Sequence, residues 1–319
     1  MAVKKSQQIN DLIFKELIKR GYSLEGNTRI WNISDSKLWY LTPEQAQAYL
    51  DVEKSEEYKR EMIDKEINLL KEKMPEIKKK LSLGKEITLV DVGCGDGKKA
   101  IVPISELKEK SKIVYCPIDI SAYMVEKAMK NISGEDGVKE IISFQWNVSD
   151  FENLENVTKL LRIRDKELFI LFLGSTIGNF ETHEVLYALQ NSMEFGDSLL
   201  MGVSLNKLSP EELEEAYKSK YSDNFLGKVL EELGFDRSEI EFGARYRYSR
   251  VESFYTVKES KTIKFQDKEI IFNKGDQVIV AYSQKYDKKK LEEAIKLYFG
   301  KYDIHINDDE TWALALCQK

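Results

Sequence analysis

Between residues 87 and 205 the chain repeats one pattern, a short apolar run followed, in most cases, by a stretch of helical periodicity. The runs are ITLVDVG (87–93), KIVYCPIDI (112–120), ISFQWNV (142–148), ELFILFLGS (167–175) and DSLLMGVSL (197–205). SAYMVEKAMKNI (121–132) is the clearest of the helical stretches. Parallel strands need long crossovers, and helices supply them. The alternation therefore predicts an α/β fold with a mostly parallel, Rossmann-like sheet.

After residue 205 the rhythm breaks. SPEELEEAYKSK (209–220) and FLGKVLEELGF (225–235) read as helices, with Ser209 an N-cap before Pro210. Three strand-like runs then follow without a helix between them, at 241–258, 261–272 and 276–286. That is an antiparallel signature, foreign to a doubly wound sheet. A helix (287–299) and the strands YDIHIN (302–307) and TWALALCQ (311–318) complete the chain. Ahead of the alternating region, 8–20 and 43–81 read as helices, the second from Met62, Ile63, Ile67, Leu70 and Met74. The segment 28–42 is aromatic and irregular. Residues 207–285 thus read as an α+β insertion into an α/β domain made of 61–206 and 286–319, behind an N-terminal segment 1–60.

Composition excludes several classes. Of 319 residues, 49 are Lys or Arg and 55 Asp or Glu, for a net charge of −6. A chain that neutralises many phosphates is usually basic, so no nucleic-acid partner is expected. Cys94, Cys116 and Cys317 form no CxxC pair, and His183 and His305 lie far apart, so no metal is expected. The N-terminus lacks the apolar core of a signal peptide, and no run of 18 apolar residues exists. The expectation is a soluble cytoplasmic protein.

The strongest local signal is LVDVGCGDGKKA (89–100), where a strand turns towards a helix. Gly93, Gly95 and Gly97 permit positive φ and close backbone approach to a ligand. The dinucleotide fingerprint GxGxxG would need a glycine where Lys98 stands. GxGxG with Asp91 two residues ahead has instead the shape of an S-adenosylmethionine site. Asp119 ends the next strand, 24 residues after Gly95, where a carboxylate can accept both ribose hydroxyls. Asp150 and Phe151 follow the third run; an acid can take the adenine amine and a ring can cover its face. FLGSTIGNF (172–180) ends the fourth, with Gly174, Ser175 and Gly178 leaving room and Asn179 offering both a donor and an acceptor. Each feature alone is also compatible with ordinary turn chemistry.

FLGSTIGNF, the GDSLLMGVSLNK strand behind it and Ala216-Tyr217 on the next helix resemble the ergothioneine-pathway histidine N-α-methyltransferases, a family with a fungal branch acting on prenylated tryptophan. The resemblance covers nearly the whole chain. It implies a class I methyltransferase domain, and a substrate domain built from the N-terminal segment and the insertion. It implies S-adenosylmethionine as cofactor, S-adenosylhomocysteine as product and a small amino-acid-like substrate; a monomer is expected. By this resemblance Asp91, Gly93, Gly95, Lys99, Asp119, Asp150, Phe151 and Gly174 bind the cofactor, and Tyr58 closes over it. Asn179 and Tyr217 hold the α-carboxylate and amine of the substrate, with Tyr40, from KLWY, near it.

In the glycine loop Asp96-Gly97 replace the family's small hydroxyl residues, and one further departure bears on the substrate. The family's histidine enzymes read the imidazole with a glutamate and, two positions on, a serine. In VAYSQKY, Ser283 and Lys285 match, but the glutamate position is Ala281. Histidine is therefore expected to be a poor substrate, unless an acid such as Glu252 on a neighbouring strand takes over the contact. Arg245, Tyr246, Arg247 and Tyr248 are further candidates to line the pocket. The expected activity is N-methylation of the α-amine of a free amino acid. The alternatives are a side-chain or guanidino nitrogen as acceptor, or a silent cofactor- or amino-acid-binding protein.

Overall fold

The computed structural model describes residues 10–143, 147–162 and 167–319. Its strands, in chain order, are β1 (Tyr22–Glu25), β2 (Thr28–Asn32), β3 (Glu86–Val92), β4 (Lys112–Ile118), β5 (Val138–Ile141), β6 (Leu168–Phe172) and β7 (Ser198–Ser204). Then come β8 (Ile240–Arg247), β9 (Arg250–Val257), β10 (Lys261–Phe265), β11 (Lys268–Phe272), β12 (Gln277–Gln284), β13 (Lys301–Ile306) and β14 (Trp312–Gln318). Contacts divide the chain into two compact units. One holds the residues up to Val52 and Leu208–Gln284; the other holds Glu53–Lys207 and Lys285–Lys319. The sequence reading drew these divisions at 60/61, 206/207 and 285/286.

In the second unit a seven-stranded sheet has the order β13-β14-β7-β6-β3-β4-β5. All neighbours are parallel except β14, which runs antiparallel to both β7 and β13. The alternation of side chains feeds two cores. Leu89, Tyr115, Phe169 and Leu200 pack with Leu69, Leu70 and Met74 of helix Lys65–Ile77. Val90, Cys116, Ile170 and Met201 pack on the other side with Leu154, Val157 and Leu186. Both faces are covered, which is why these strands read as continuous apolar runs. The chain leaves β3 towards β4 and β5, then returns to β6 on the other side of β3, so the topology switches between β3 and β6. Ligands of open α/β sheets bind outside the strand ends at such a point. Of the expected strand 142–148, residues 144–146 lie outside the described residues; Val148 forms a lone parallel bridge to Asp119.

The first unit carries a five-stranded sheet of order β1-β2-β12-β9-β8 and the separate hairpin β10–β11. The irregular aromatic segment 28–42 was not read as a strand, yet it contributes β2, which runs parallel to β12. Two of the three runs read as single strands fold back on themselves. Tyr248 and Ser249, at φ 52° and 58°, turn β8 into β9, and Gln266 at φ 56° lies in the turn between β10 and β11. Consecutive left-handed residues match the twist of a two-residue hairpin, even without glycine.

The expected helix 8–20 is observed as Asp11–Arg20, with Asn10 capping the N–H groups of Leu12 and Ile13. The expected helix 43–81 is broken. It runs as Pro43–Glu53, a short turn Glu56–Tyr58, a π-helical stretch Lys59–Asp64, helix Lys65–Ile77 and a 3-10 turn Lys78–Lys80. The break comes at Ser55, whose ψ of 139° is extended. The division between the units falls at the same place, so apolar spacing continues across a change of packing partner. Ser209 caps Pro210–Tyr217 in a capping box with Glu212.

Candidate functional site

In the second unit the turn after β3 is held by backbone. Gly93 and Cys94 both donate to the Ile118 carbonyl at the end of β4, at 2.8 and 3.1 Å. Gly93, Gly95 and Gly97 have φ of 68°, 52° and 77°. Their roles differ. A Cβ on Gly97 would stand 3.0 Å from Ala128 and 3.2 Å from the Tyr115 hydroxyl, so Gly97 lets the turn pack on helix Ala122–Ile132. A Cβ on Gly95 would meet nothing within 4 Å, so its open side has room for a ligand.

Asp119 follows β4 with one backbone donor on each oxygen: Gly95 N–H to Oδ2 at 3.1 Å and Ser121 N–H to Oδ1 at 2.9 Å. Burial pushes its carboxyl up to about 6, while the N–H groups of Ser121, Gly95 and Ile120 restrain it. Asp91 lies beneath the turn, buried, and accepts from the Tyr115 hydroxyl at 2.7 Å. Burial raises its carboxyl to about 7, against that hydrogen bond. Asp91 thus supports the turn from inside the sheet.

Asp150 and Phe151 arrive beside Asp119 through backbone pairing. Asp119 N–H donates to the Asn147 carbonyl and Ser149 N–H to the Asp119 carbonyl, both at 2.9 Å. Asn153 donates to Asp150 at 2.9 Å. Phe151 stands edge-on to Phe172 at 5.2 Å and Phe180 at 4.6 Å.

Loop 173–179 follows β6. Gly174 has φ 77° and Ser175 φ 56°; the Ser175 hydroxyl accepts from Ser204 N–H at 3.1 Å. A Cβ on Gly93 would meet Thr176 at 3.5 Å, so this loop abuts the glycine turn. Asn179 ends the 3-10 turn Thr176–Asn179 and is partly buried.

One residue here was not singled out from the sequence. Glu66 is fully buried, accepts the Gly174 N–H at 2.8 Å and lies 2.9 Å from the Lys99 ammonium. Burial opposes the charged form of Lys99, but Glu66, Glu53 and Tyr58 outweigh it and raise its pKa. Tyr58 itself is half-buried, just before the π-helical stretch. A signal for Glu66 did exist: it falls on the apolar stripe between Met62 and Leu70, where a carboxylate needs a partner.

In the first unit, register separates two faces of the five-stranded sheet. Ala281 pairs with Ser253 and Ser283 with Val251, so these side chains share one face. Tyr217 packs on that face against Leu213, Ala244 and Val251, with Tyr246 beside it. Glu252 pairs with Tyr282 and with Arg245, so it points to the other face. Its buried carboxylate is taken by Arg245, Arg247 and Arg250. Glu252 therefore does not replace the acid missing at Ala281. Arg245 and Arg247 stand with it, and of that group Tyr246 alone joins the Tyr217 face. Tyr248 is exposed at the hairpin tip. Tyr40 is half-buried in an aromatic cluster with Tyr49 and Phe225, at 5.5 and 5.6 Å.

The sheet order with its antiparallel penultimate strand, the glycine turn after β3 and the acid after β4 define a class I S-adenosylmethionine-dependent methyltransferase. A model of the family described as "Histidine-specific methyltransferase, SAM-dependent" matches residues 46–319, and the chain belongs to that family. A curated relative, an L-tryptophan methyltransferase of Psilocybe serbica, is 28% identical over 147 residues. That match spans 41% of this chain and 41% of the relative's length. Among solved structures, a protein of Pyrococcus horikoshii OT3 has a TM-score of 0.46 at 16% identity, over 87% of this chain and 99% of that one. A methyltransferase from Bacteroides fragilis, solved in complex with S-adenosyl-L-homocysteine, has 0.37 at 17% identity over 78% and 75% of the two chains. No helix among the described residues is long and apolar enough to cross a membrane.

Proposed function

We propose that this chain methylates the α-amino nitrogen of a free amino acid or close derivative, one with an aromatic or histidine-like side chain, and releases S-adenosylhomocysteine. The observation that carries the reading is Asp119, braced by two backbone N–H groups beside the open side of Gly95 at the sheet's switch point. That arrangement suits the ribose of an adenosyl ligand. Asp150 and Phe151 then fall at the adenine, and Lys99 beside Gly174 at the amino-acid end. The cofactor's sulfonium supplies a methyl group that is already activated.

What remains for the protein is placement. Bringing an amine to about 3–3.5 Å behind the methyl accounts for several kcal/mol of barrier lowering. An α-amine with a pKa near 8 is partly neutral at working pH, so a strong base is not required. By the family resemblance, Asn179 and Tyr217 are our candidates for the α-carboxylate and amine of the substrate, and an aromatic face such as Tyr40 would favour a cationic centre. Chain location and oligomeric state are taken as cytoplasmic and monomeric.

Ala281 favours an uncharged ring over imidazole. Its neighbours across the strand are Ser253 and, two pairs on, Val251, and the acid between them, Glu252, faces away. The L-tryptophan methyltransferase among the relatives is in keeping with this preference.

The test is mass spectrometry of reactions with the twenty amino acids and common derivatives. Methyl groups on the α-nitrogen of aromatic substrates are expected. Transfer only to side-chain or guanidino nitrogens overturns the acceptor, and ligand binding without any transfer overturns the enzyme. Ala281→Glu should move preference towards histidine by about ten- to a hundredfold, the worth of one charge-assisted hydrogen bond. Efficient histidine methylation by the unmodified protein would defeat the argument from Ala281.

A further inference from the structure

We infer that Glu66 is a positioning residue of the cofactor site: it fixes the Lys99 ammonium over Gly174 and thereby sets recognition of the ligand's amino-acid end, separately from the adenosine end held by Asp119. The inference rests on the cofactor placement proposed above.

Four segments meet at this carboxylate. Glu66 comes from helix Lys65–Ile77 and is 0% exposed. Its Oε1 accepts the Gly174 N–H at 2.8 Å, which anchors the loop after β6. Its Oε2 forms an ion pair with Nζ of Lys99, 2.9 Å away on the turn after β3. The fourth segment is β7, where a Cβ on Gly202 would lie 1.8 Å from Oε1. The carboxylate thus fills the notch that glycine leaves in the strand. The ammonium fills a second notch, since a Cβ on Gly174 would lie 2.8 Å from Nζ.

The consequence is a lysine with little freedom. A lysine side chain loses considerable rotamer entropy when ordered, and a fixed partner removes that loss from the binding step. The Lys99 side chain keeps 18% exposure and its ammonium has donors beyond the one facing Glu66, whereas Glu66 is closed off entirely. A single lysine can bridge the protein carboxylate and a ligand carboxylate, because an ammonium has three donors. Glu66 therefore acts through Lys99.

The experiment compares two ligands on the full chain. S-adenosylhomocysteine carries the amino-acid end; 5′-methylthioadenosine keeps the adenosine and the thioether without it. Glu66→Gln retains volume and an acceptor for Gly174 but loses the charge. Calorimetry should show affinity for S-adenosylhomocysteine falling about tenfold, in line with loss of a charged partner, and that for 5′-methylthioadenosine within twofold. Lys99→Met should give the same split, and adding Glu66→Gln to it should change nothing more. Equal weakening of both ligands, or none of either, overturns the inference. If Glu66→Gln does not fold, Glu66→Asp is read by the same split. Failure of the underlying cofactor placement looks different: the unmodified protein then binds neither ligand.

Discussion

Among the described residues, each of the two units buries one glutamate completely, and the two are neutralised in opposite ways. Glu66 has one lysine and one backbone N–H. Glu252 accepts from Arg245 and Arg247 on Oε2, at 2.9 and 2.6 Å, and from Arg250 on Oε1, at 3.2 and 3.0 Å. Burial of Glu252 works against its charge, but the arginines hold its carboxyl below the usual range. Three fixed guanidinium groups on one carboxylate make a rigid clamp across β8 and β9. A single lysine makes a pair that still has hydrogen-bonding capacity to give. The first arrangement suits architecture, the second a binding site.

The largest expected effect comes from breaking the clamp. Glu252→Gln leaves three partly buried cations without their counter-charge, and loss of one partner of a fully buried ion pair, the upper bound here, destabilises by about 3–5 kcal/mol. Urea unfolding should show it, with affinity for S-adenosylhomocysteine unchanged. Its pH dependence follows from the sign of the shift. A carboxyl held low in the fold stabilises above the ordinary glutamate range, and that contribution disappears as pH falls through the folded value. The acid-labile part should therefore shrink in Glu252→Gln. A loss under 1 kcal/mol would remove the contrast between the two glutamates.

Next in size is Asp119→Ala, which should weaken binding of S-adenosylhomocysteine by about 1.5–3 kcal/mol with little change in stability. Burial pushes the carboxyl of Asp119 up to about 6, and only its charged form accepts both hydroxyls. Affinity should thus climb between pH 5 and 7 and flatten in Asp119→Asn. A steep climb retained in Asp119→Asn would assign the titration to another group.

The smallest effect sharpens the comparison with a pair of glycines. A Cβ on Gly202 would meet Glu66, and one on Gly227 would meet the Arg237 guanidinium at 1.6 Å. Each alanine substitution should destabilise by about 1–3 kcal/mol, as overpacking does. Only Gly202→Ala should also weaken S-adenosylhomocysteine. If both or neither does so, the separation between a binding notch and a packing notch fails.

Much of the candidate cofactor site's backbone was legible because its demands are local. Gly93 and Gly95 are required by positive φ within a single turn, and Asp119 falls at the end of the next apolar run. Strand–helix alternation carried the parallel sheet for the same reason. The first unit was harder. The aromatic segment 28–42 contributes β2, which forms a hairpin with β1 and also runs parallel to β12, 247 residues along the chain from Ile30 to Gln277. Nothing in the local pattern marks that pairing.

By itself the sequence determined where the glycine turn after β3 falls, which runs must be buried on both faces, and which acid follows β4, because these follow from dihedral freedom and apolar periodicity. The tertiary structure alone decided which charges are neutralised by which. Glu66 and Glu252 are each one carboxylate among many in a chain of 55 acids. Only folding brings Lys99 and Gly174 to one of them and three arginines to the other. Burying a charge demands a partner, yet the demand does not say from which strand or loop the partner comes.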